Sequence, residues 1–193
     1  MRRVFIDCGS NLGQGLNQFA SMYSMDSSWI VETYEPNKDL IETLKTNISA
    51  LPMNVKVYDK AVLDFDGEIL FSKMLEDSQG SSVECLMYVA ECADVSSPAY
   101  RKHDSISTVP CIDISTILSS YSEEDFLVVK LDVEGSEFRI VRRMLADGSI
   151  KKINDLYIEW HTRYIENENE QTESQLLQEI QAVSPKTSLH RWH

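Results

Sequence analysis

Four residues in the second half of the chain combine carboxylates with an imidazole at a spacing that suits an active site. Asp132 and Glu134 end one apolar run, and Glu159 and His161 end the next. Residues at positions i and i+2 of a strand point to the same face, so we expect all four to converge above the carboxyl edge of a sheet. The structural alternatives are an acid at a helix start for Glu134 and a hydrogen-bonded core histidine for His161.

Two kinds of chemistry suit this group, and the sequence leaves both open. His161 has the ordinary pKa nearest neutrality, so it is the best base for removing a proton from a hydroxyl. Alternatively, Asp132, Glu134 and either Glu159 or His161 hold a divalent cation, Mg²⁺ or Mn²⁺, for which carboxylate and imidazole are suitable ligands.

A glycine-rich stretch near the start of the chain predicts a ligand-binding loop. Residues 4–15 read VFIDCGSNLGQG, an apolar strand that ends at Asp7 and is followed by Gly9, Asn11 and Gly13. Apolar residues at helical spacing come next, so the order is strand, glycine loop and helix. A tight turn without a ligand is the alternative for this stretch alone.

Glu35 ends the second predicted strand, 22 residues after Gly13. An acid at that place accepts hydrogen bonds from ribose hydroxyls in nucleotide-binding βαβ units. Nicotinamide dinucleotides and S-adenosylmethionine both fit such a layout. Asn11 stands where the dinucleotide pattern has its second glycine, and the Asp7 carboxylate repels a pyrophosphate but attracts a sulfonium. These charges favour S-adenosylmethionine over a nicotinamide cofactor.

The remaining pattern predicts strands that alternate with helices, hence a parallel sheet with right-handed crossovers. Further strands are expected at residues 29–34, 54–58, 126–133 and 156–160, shorter ones at 68–72 and 109–112, and a final one within 186–193. Asp113 is predicted to cap a short helix, and Thr172 with Gln175 to form a capping box for the last helix. An irregular insertion is expected at about residues 75–107.

Composition limits the partners of the chain. Its 193 residues favour a single domain, and the formal net charge of −13 argues against binding nucleic acid or an anionic membrane. No run approaches the roughly 18 apolar residues of a membrane span. The four cysteines show no metal-binding spacing. We therefore expect a cytoplasmic protein whose cysteines stay reduced and whose partners are neither nucleic acid nor membrane.

Five stretches resemble the FkbM-type class I methyltransferases and occur in that family's order. They are DCGSNLGQG at 7–15, YEPN at 34–37, KAVLDFDGE at 60–68, VKLDVEGSE at 129–137 and IEWH at 158–161. The resemblance implies S-adenosylmethionine as the methyl donor. The positions that it assigns to donor binding are Asp7, Gly9, Ser10, Asn11, Gly13, Glu35, Pro36, Asp59, Lys60, Ala61 and Asp132.

The same resemblance implies transfer of a methyl group to a hydroxyl of a sugar, glycoside or other small molecule, with Asp132 and Glu134 beside the methyl group. It also implies one Rossmann-like α/β domain over residues 1–193, with a doubly wound, mostly parallel sheet. The chain shown ends about one strand short of a full seven-stranded methyltransferase sheet, so either the closing hairpin is absent or the sequence is short at this end. A nicotinamide-dependent oxidoreductase and an inactive S-adenosylmethionine-binding module are the rival functions.

Overall fold

The computed structural model describes residues 1–73, 82, 105–162, 165 and 167–192. Within these ranges six strands form one sheet, in the order β3-β2-β1-β7-β8-β9, and every neighbouring pair is parallel. The strands are β1 (Arg3–Cys8), β2 (Trp29–Tyr34), β3 (Asn54–Tyr58), β7 (Phe126–Leu131), β8 (Asp155–Ile158) and β9 (Ser188–Arg191). The strand order reverses between β1 and β7, where open α/β sheets bind their ligands.

Helices cover both faces of this sheet, which confirms the predicted doubly wound α/β fold. Helices α1 (Gln14–Met22) and α2 (Ile41–Ile48) bury Phe19 and Leu44 in one apolar cluster. On the opposite face, Phe138 and Ile180 contribute to a second cluster. The helices of that face are α3 (Ile114–Ser119), α4 (Glu137–Asp147) and α5 (Glu170–Val183). Because helices pack on both faces of the sheet, the central strands are held in place, and the carboxyl ends of these strands can position the residues of a site.

A small second sheet, which the sequence did not predict, joins three more strands. In it β4 (Ala61–Leu63) pairs parallel to β6 (Ser105–Asp113), and β5 (Gly67–Lys73) pairs antiparallel to β6. The strand predicted at 68–72 is the central part of β5, and the strand predicted at 109–112 is the carboxyl-terminal half of β6. Most of the predicted insertion at 75–107 lies outside the described residues.

The predicted start of the last helix is wrong. Helix α5 begins at Glu170, and Asn169 caps it by accepting hydrogen bonds from the backbone N–H groups of Gln171 and Thr172, at 2.9 and 3.2 Å. Asn169 has extended backbone and a short side-chain oxygen, which suit an N-cap. Glu170 and Glu173 are therefore in the first helical turn, where the helix dipole favours negative charge.

Two other helix and strand predictions hold. Asp113 caps α3, because its carboxylate accepts a hydrogen bond from Ser115 N at 2.8 Å. The final predicted strand is β9, and it pairs directly and in parallel with β8. Among the described residues no further strand closes the sheet beyond β9. None of the described helices is both long enough and apolar enough to cross a membrane.

Candidate active site

The glycine loop, residues 9–13, follows β1 and turns at the carboxyl edge of the sheet. Gly9 has φ +84° and Gly13 has φ +87°. A Cβ atom on Gly9 would lie 1.7 Å from the backbone oxygen of Asp132, and one on Gly13 would lie 2.9 Å from Leu44 and Ile48 side-chain atoms. Both places therefore require glycine. The close approach at Gly9 brings the loop directly against the end of β7.

Ser10 holds this loop to β2. Its hydroxyl is buried and forms a hydrogen bond with the hydroxyl of Thr33. The backbone N–H groups of Gly9 and Ser10 both donate to the carbonyl of Tyr34, at 3.0 and 3.2 Å. The side chain of Ser10, which the resemblance assigned to donor binding, thus faces the protein interior.

Glu35 joins the loops that follow β1 and β2. Its carboxylate accepts hydrogen bonds from Asn11 N and Asn37 N, both at 2.8 Å, and the residue is only 6% exposed. Burial raises the pKa of Glu35 to about 7, against the effect of the two N–H groups. Each carboxylate oxygen has lone-pair capacity beyond one such bond, so Glu35 fits the acceptance of ribose hydroxyls.

The other positions assigned to the donor lie around the same edge. Pro36 is half-buried directly after Glu35. Asp59 is exposed and Lys60 half-buried, just beyond the end of β3. Ala61 is the first residue of β4 and is buried in the apolar cluster of the small sheet. Of these four residues, Pro36, Asp59 and Lys60 are accessible to a ligand, and Ala61 is not.

Lys130 is a site residue that sequence reasoning missed. It is 2% exposed, and its Nζ lies 3.2 Å from Asp7 Oδ1, 3.0 Å from Asp132 Oδ2 and 3.0 Å from the carbonyl oxygen of Gly9. Burial lowers the pKa of Lys130, but the charges of Asp7 and Asp132 outweigh it and raise the pKa. The available signal was a charged residue inside the apolar run FLVVKLDV, which requires a buried counter-charge.

Asp7 is therefore paired inside the protein. It is fully buried, and Lys130 is its counter-ion, whereas the sequence had suggested that its carboxylate waits for a cationic ligand. Its Oδ1 atom accepts no hydrogen bond from the described residues, so the contact with Lys130 is one of charge. We call Asp7, Lys130 and Asp132 the buried charge set; it holds two carboxylates and one ammonium group.

Asp132, Glu134, Glu159 and His161 form the carboxylate–histidine cluster. Strands β7 and β8 end at Leu131 and Ile158, so all four residues lie beyond the strands, and the predicted i, i+2 strand geometry is wrong. The predicted convergence is confirmed. His161 Nε2 lies 3.5 Å from Glu134 Oε2 and 3.7 Å from Glu159 Oε1. Ligand atoms of Asp132, Glu134 and His161 all lie within 4.8 Å of one another.

Glu137, which the sequence analysis gave no role, orients the imidazole. This residue is fully buried, and its Oε1 lies 2.9 Å from His161 Nδ1. The same carboxylate accepts hydrogen bonds from Val133 N and Gly135 N. A buried carboxylate on Nδ1 leaves Nε2 directed at the other members of the cluster.

The carboxylates around His161 determine its charge. Burial opposes the protonated form, but the hydrogen bond to Glu137 and the charges of Glu137, Glu134 and Asp132 raise the pKa of His161 to about 9. Burial and the charge of Asp132 likewise raise the pKa of Glu159. At neutral pH the imidazole is therefore protonated, and Nε2 must lose that proton before it can act as a base.

Backbone geometry holds Glu134 in the cluster. Its φ is +55°, and Gly135 after it has φ +118°. A left-handed conformation is uncommon for glutamate and persists where the surroundings enforce it. Ser82 supplies one such contact, because its hydroxyl donates to the Glu134 carbonyl at 2.6 Å.

The topology and the site together define a Rossmann-like α/β fold with a candidate ligand site at the carboxyl edge of its sheet. A glycine loop after β1, an acid after β2 and a polar cluster after β7 and β8 share one edge of the sheet. The family model described as the methyltransferase FkbM domain matches residues 7–183. The chain belongs to the FkbM methyltransferase family. No curated protein and no solved structure matches the chain.

Proposed function

We propose that the protein transfers a methyl group from S-adenosylmethionine to a hydroxyl of a sugar, a glycoside or another small molecule. One observation carries the proposal: the backbone of Asp132 lies against the glycine loop at Gly9, while its side chain belongs to the carboxylate–histidine cluster. A methyl donor held by the loop would therefore lie beside groups that can manage the proton of an acceptor hydroxyl. Such proximity supplies much of the catalysis in a displacement reaction.

The charges on the donor side support a sulfonium ligand. The buried charge set carries one net negative charge, since Lys130 cancels only one of its two carboxylates. This residual charge attracts a sulfonium and repels a pyrophosphate. Glu35 would accept the ribose hydroxyls, and the surface at Asp59 and Lys60 would lie beside the adenine. The nicotinamide-dependent alternative has no comparable support from these charges.

The reaction moves one methyl group and one proton. The bond between the methyl carbon and sulfur breaks as the acceptor oxygen forms its bond to that carbon, and the electron pair stays on sulfur. The hydroxyl proton must pass to a base. Neutral His161, with Nδ1–H donated to Glu137, would accept it at Nε2. Because the pKa of His161 is raised to about 9, this route predicts turnover that increases as pH rises towards 9.

A divalent cation is the alternative proposal for the same cluster. Asp132, Glu134 and His161 have oxygen and nitrogen atoms within 4.8 Å of one another, with Glu159 beside them. That atom set fits Mg²⁺ or Mn²⁺, and Glu137 would support His161 as a buried carboxylate behind the ligand. A bound cation would lower the pKa of the acceptor hydroxyl, so this route needs no neutral imidazole.

Ligand-dependent melting tests the donor assignment. S-adenosylhomocysteine should raise the melting temperature, because a ligand that binds only the native state stabilises it, and NAD should not. A rise with NAD alone would support the oxidoreductase instead. Methyl transfer from labelled S-adenosylmethionine to a panel of sugars and glycosides then tests catalysis. Binding of the donor without transfer to any acceptor would favour the inactive binding module.

His161→Ala tests the cluster, with His190→Ala as the matched control. His190 lies in β9 and pairs with Asp155. We expect His161→Ala to lose turnover while its affinity for S-adenosylmethionine stays close to that of the wild type, whereas His190→Ala keeps both. EDTA should abolish turnover only if the cluster holds a metal. Full turnover in His161→Ala would remove both routes and leave alignment as the source of catalysis.

A further inference from the structure

Lys130 places a buried positive charge beneath the proposed donor site. In the parallel register between β1 and β7, Lys130 is the partner of Asp7. The Nζ atom of Lys130 also lies 3.0 Å from Asp132 Oδ2. Its Nζ also donates to the Gly9 carbonyl, so it touches the glycine loop itself. The ammonium is 5.8 Å from the ring centroid of Trp192, which covers it from another side.

We propose that Lys130 limits the preference of the site for the charged methyl donor over its neutral product, an inference that rests on the proposed function. S-adenosylmethionine has one net positive charge, supplied by its sulfonium, and S-adenosylhomocysteine has none at neutral pH. Without Lys130, the carboxylates of Asp7 and Asp132 would both lie uncompensated beneath the proposed sulfonium position. With Lys130, Asp7 is compensated, and the buried charge set holds one net negative charge.

This compensation matters for catalysis because the positive charge leaves sulfur as the methyl group moves. Interactions that stabilise the sulfonium more than the transition state raise the barrier. A site with two uncompensated carboxylates would hold the charged donor too strongly in its ground state. Lys130 is therefore a specificity-determining residue for the donor, and it also orients Asp132 through its contact at 3.0 Å.

Calorimetric titration with S-adenosylmethionine and S-adenosylhomocysteine measures the proposed effect as a ratio of dissociation constants. EDTA in the buffer keeps divalent cations from contributing. Lys130→Met makes the set more negative by one charge, so the preference for S-adenosylmethionine should increase about fivefold or more. Asp7→Asn makes the set neutral, so the preference should fall by a similar factor. The double variant Asp7→Asn/Lys130→Met restores one net negative charge and should return the ratio towards the wild-type value.

Lys152→Met is the matched control, because it also removes one ammonium but at a site where Lys152 donates to the Leu118 carbonyl. It should leave the ratio unchanged. A purely structural role for Lys130 would weaken both ligands equally in every variant, and that result would overturn the inference. If Lys130→Met does not fold, Asp7→Asn and the double variant carry the same test. A wild-type protein that binds neither ligand would overturn the proposed function and this inference with it.

Discussion

The substitution Glu137→Gln isolates the charge that the buried carboxylate places on His161. Glutamine has nearly the same shape, so the turn after β7 keeps a side-chain oxygen for its backbone N–H groups. The imidazole loses the partner 2.9 Å from Nδ1 that provides the largest effects raising its pKa. Burial opposes the charged form, and the charges of Glu134 and Asp132 still favour it but rank below the effects of Glu137, so the pKa of His161 should fall well below about 9.

The expected change in stability follows from linkage. A histidine whose pKa is higher in the folded state than in the unfolded state stabilises the folded protein. This contribution is complete at pH values below the pKa of the unfolded state, and it is lost as the pH rises through the pKa of the folded state. Here the window runs from 6.5 to about 9. At 1.36 kcal/mol per pH unit, the wild type should lose roughly 3 kcal/mol of unfolding free energy across it. Glu137→Gln should lose clearly less over the same pH range.

Urea denaturation at pH 6, 7, 8, 9 and 10 measures this difference, and an NMR titration of the His161 ring reports the pKa directly. The matched control is Glu173→Gln, because Glu173 is also buried but pairs with Arg191, which does not titrate in this range. That variant should keep the pH dependence of the wild type. A wild-type His161 that titrates below pH 7, or a Glu137→Gln protein whose pH dependence equals that of the wild type, would refute the reasoning.

Four further predictions concern Glu35, Gly9 and Asn169. Glu35→Ala should reduce affinity for S-adenosylmethionine tenfold to a hundredfold by calorimetry, the loss of roughly 1.5–3 kcal/mol of charged hydrogen bonds, whereas exposed Glu42→Ala should not. Since burial raises the pKa of Glu35 to about 7 and the ionised form accepts hydrogen bonds better, wild-type affinity should increase from pH 6 to 8; a flat profile would argue against the ribose role. Gly9→Ala should abolish either donor binding, measured by calorimetry, or folding, measured by circular dichroism, because the new Cβ would collide with the backbone oxygen of Asp132. A variant that folds and binds the donor like the wild type would contradict the loop geometry. Asn169→Ala should lower the unfolding free energy by about 1 kcal/mol in urea; no change would mean that the cap contributes nothing.

The large sheet and the place of the site were predictable because local patterns specify them. Apolar runs such as residues 126–131 are buried on both faces, and their spacing with helices implies parallel pairing. The glycines after the first strand and the acid after the second strand then indicate that the candidate site lies at the carboxyl edge of the sheet. The positions of Glu35 and of His161 follow from that topology, since parallel strands end at one edge. The family resemblance added the expectation that the methyl donor is S-adenosylmethionine.

The partners of the charged groups were not predictable, because charge pairing depends on contacts between distant parts of the chain. Asp7 looks available in the sequence, yet Lys130, which is 123 positions later, lies 3.2 Å from it. Glu137 looks like an ordinary acid in a first helical turn, but the turn before it folds back and buries its carboxylate against His161. Likewise, β4 is three residues long, and only its pairing with β6 makes it a strand.

Asp132 belongs to both groups of charges, and this has a consequence for the direction of the proposed reaction. Its carboxylate contacts Lys130, and it is also one of the charges that raise the pKa of His161. While a sulfonium lies nearby, its positive charge opposes protonation of the imidazole. Once the methyl group has moved, that positive charge is gone, and the same carboxylates raise the pKa of His161 again. The cluster would therefore hold a proton more strongly after transfer than before it. In the metal-free route of the proposed reaction, the loss of charge on the donor side would favour retention of the acceptor's proton by His161 and disfavour the reverse reaction.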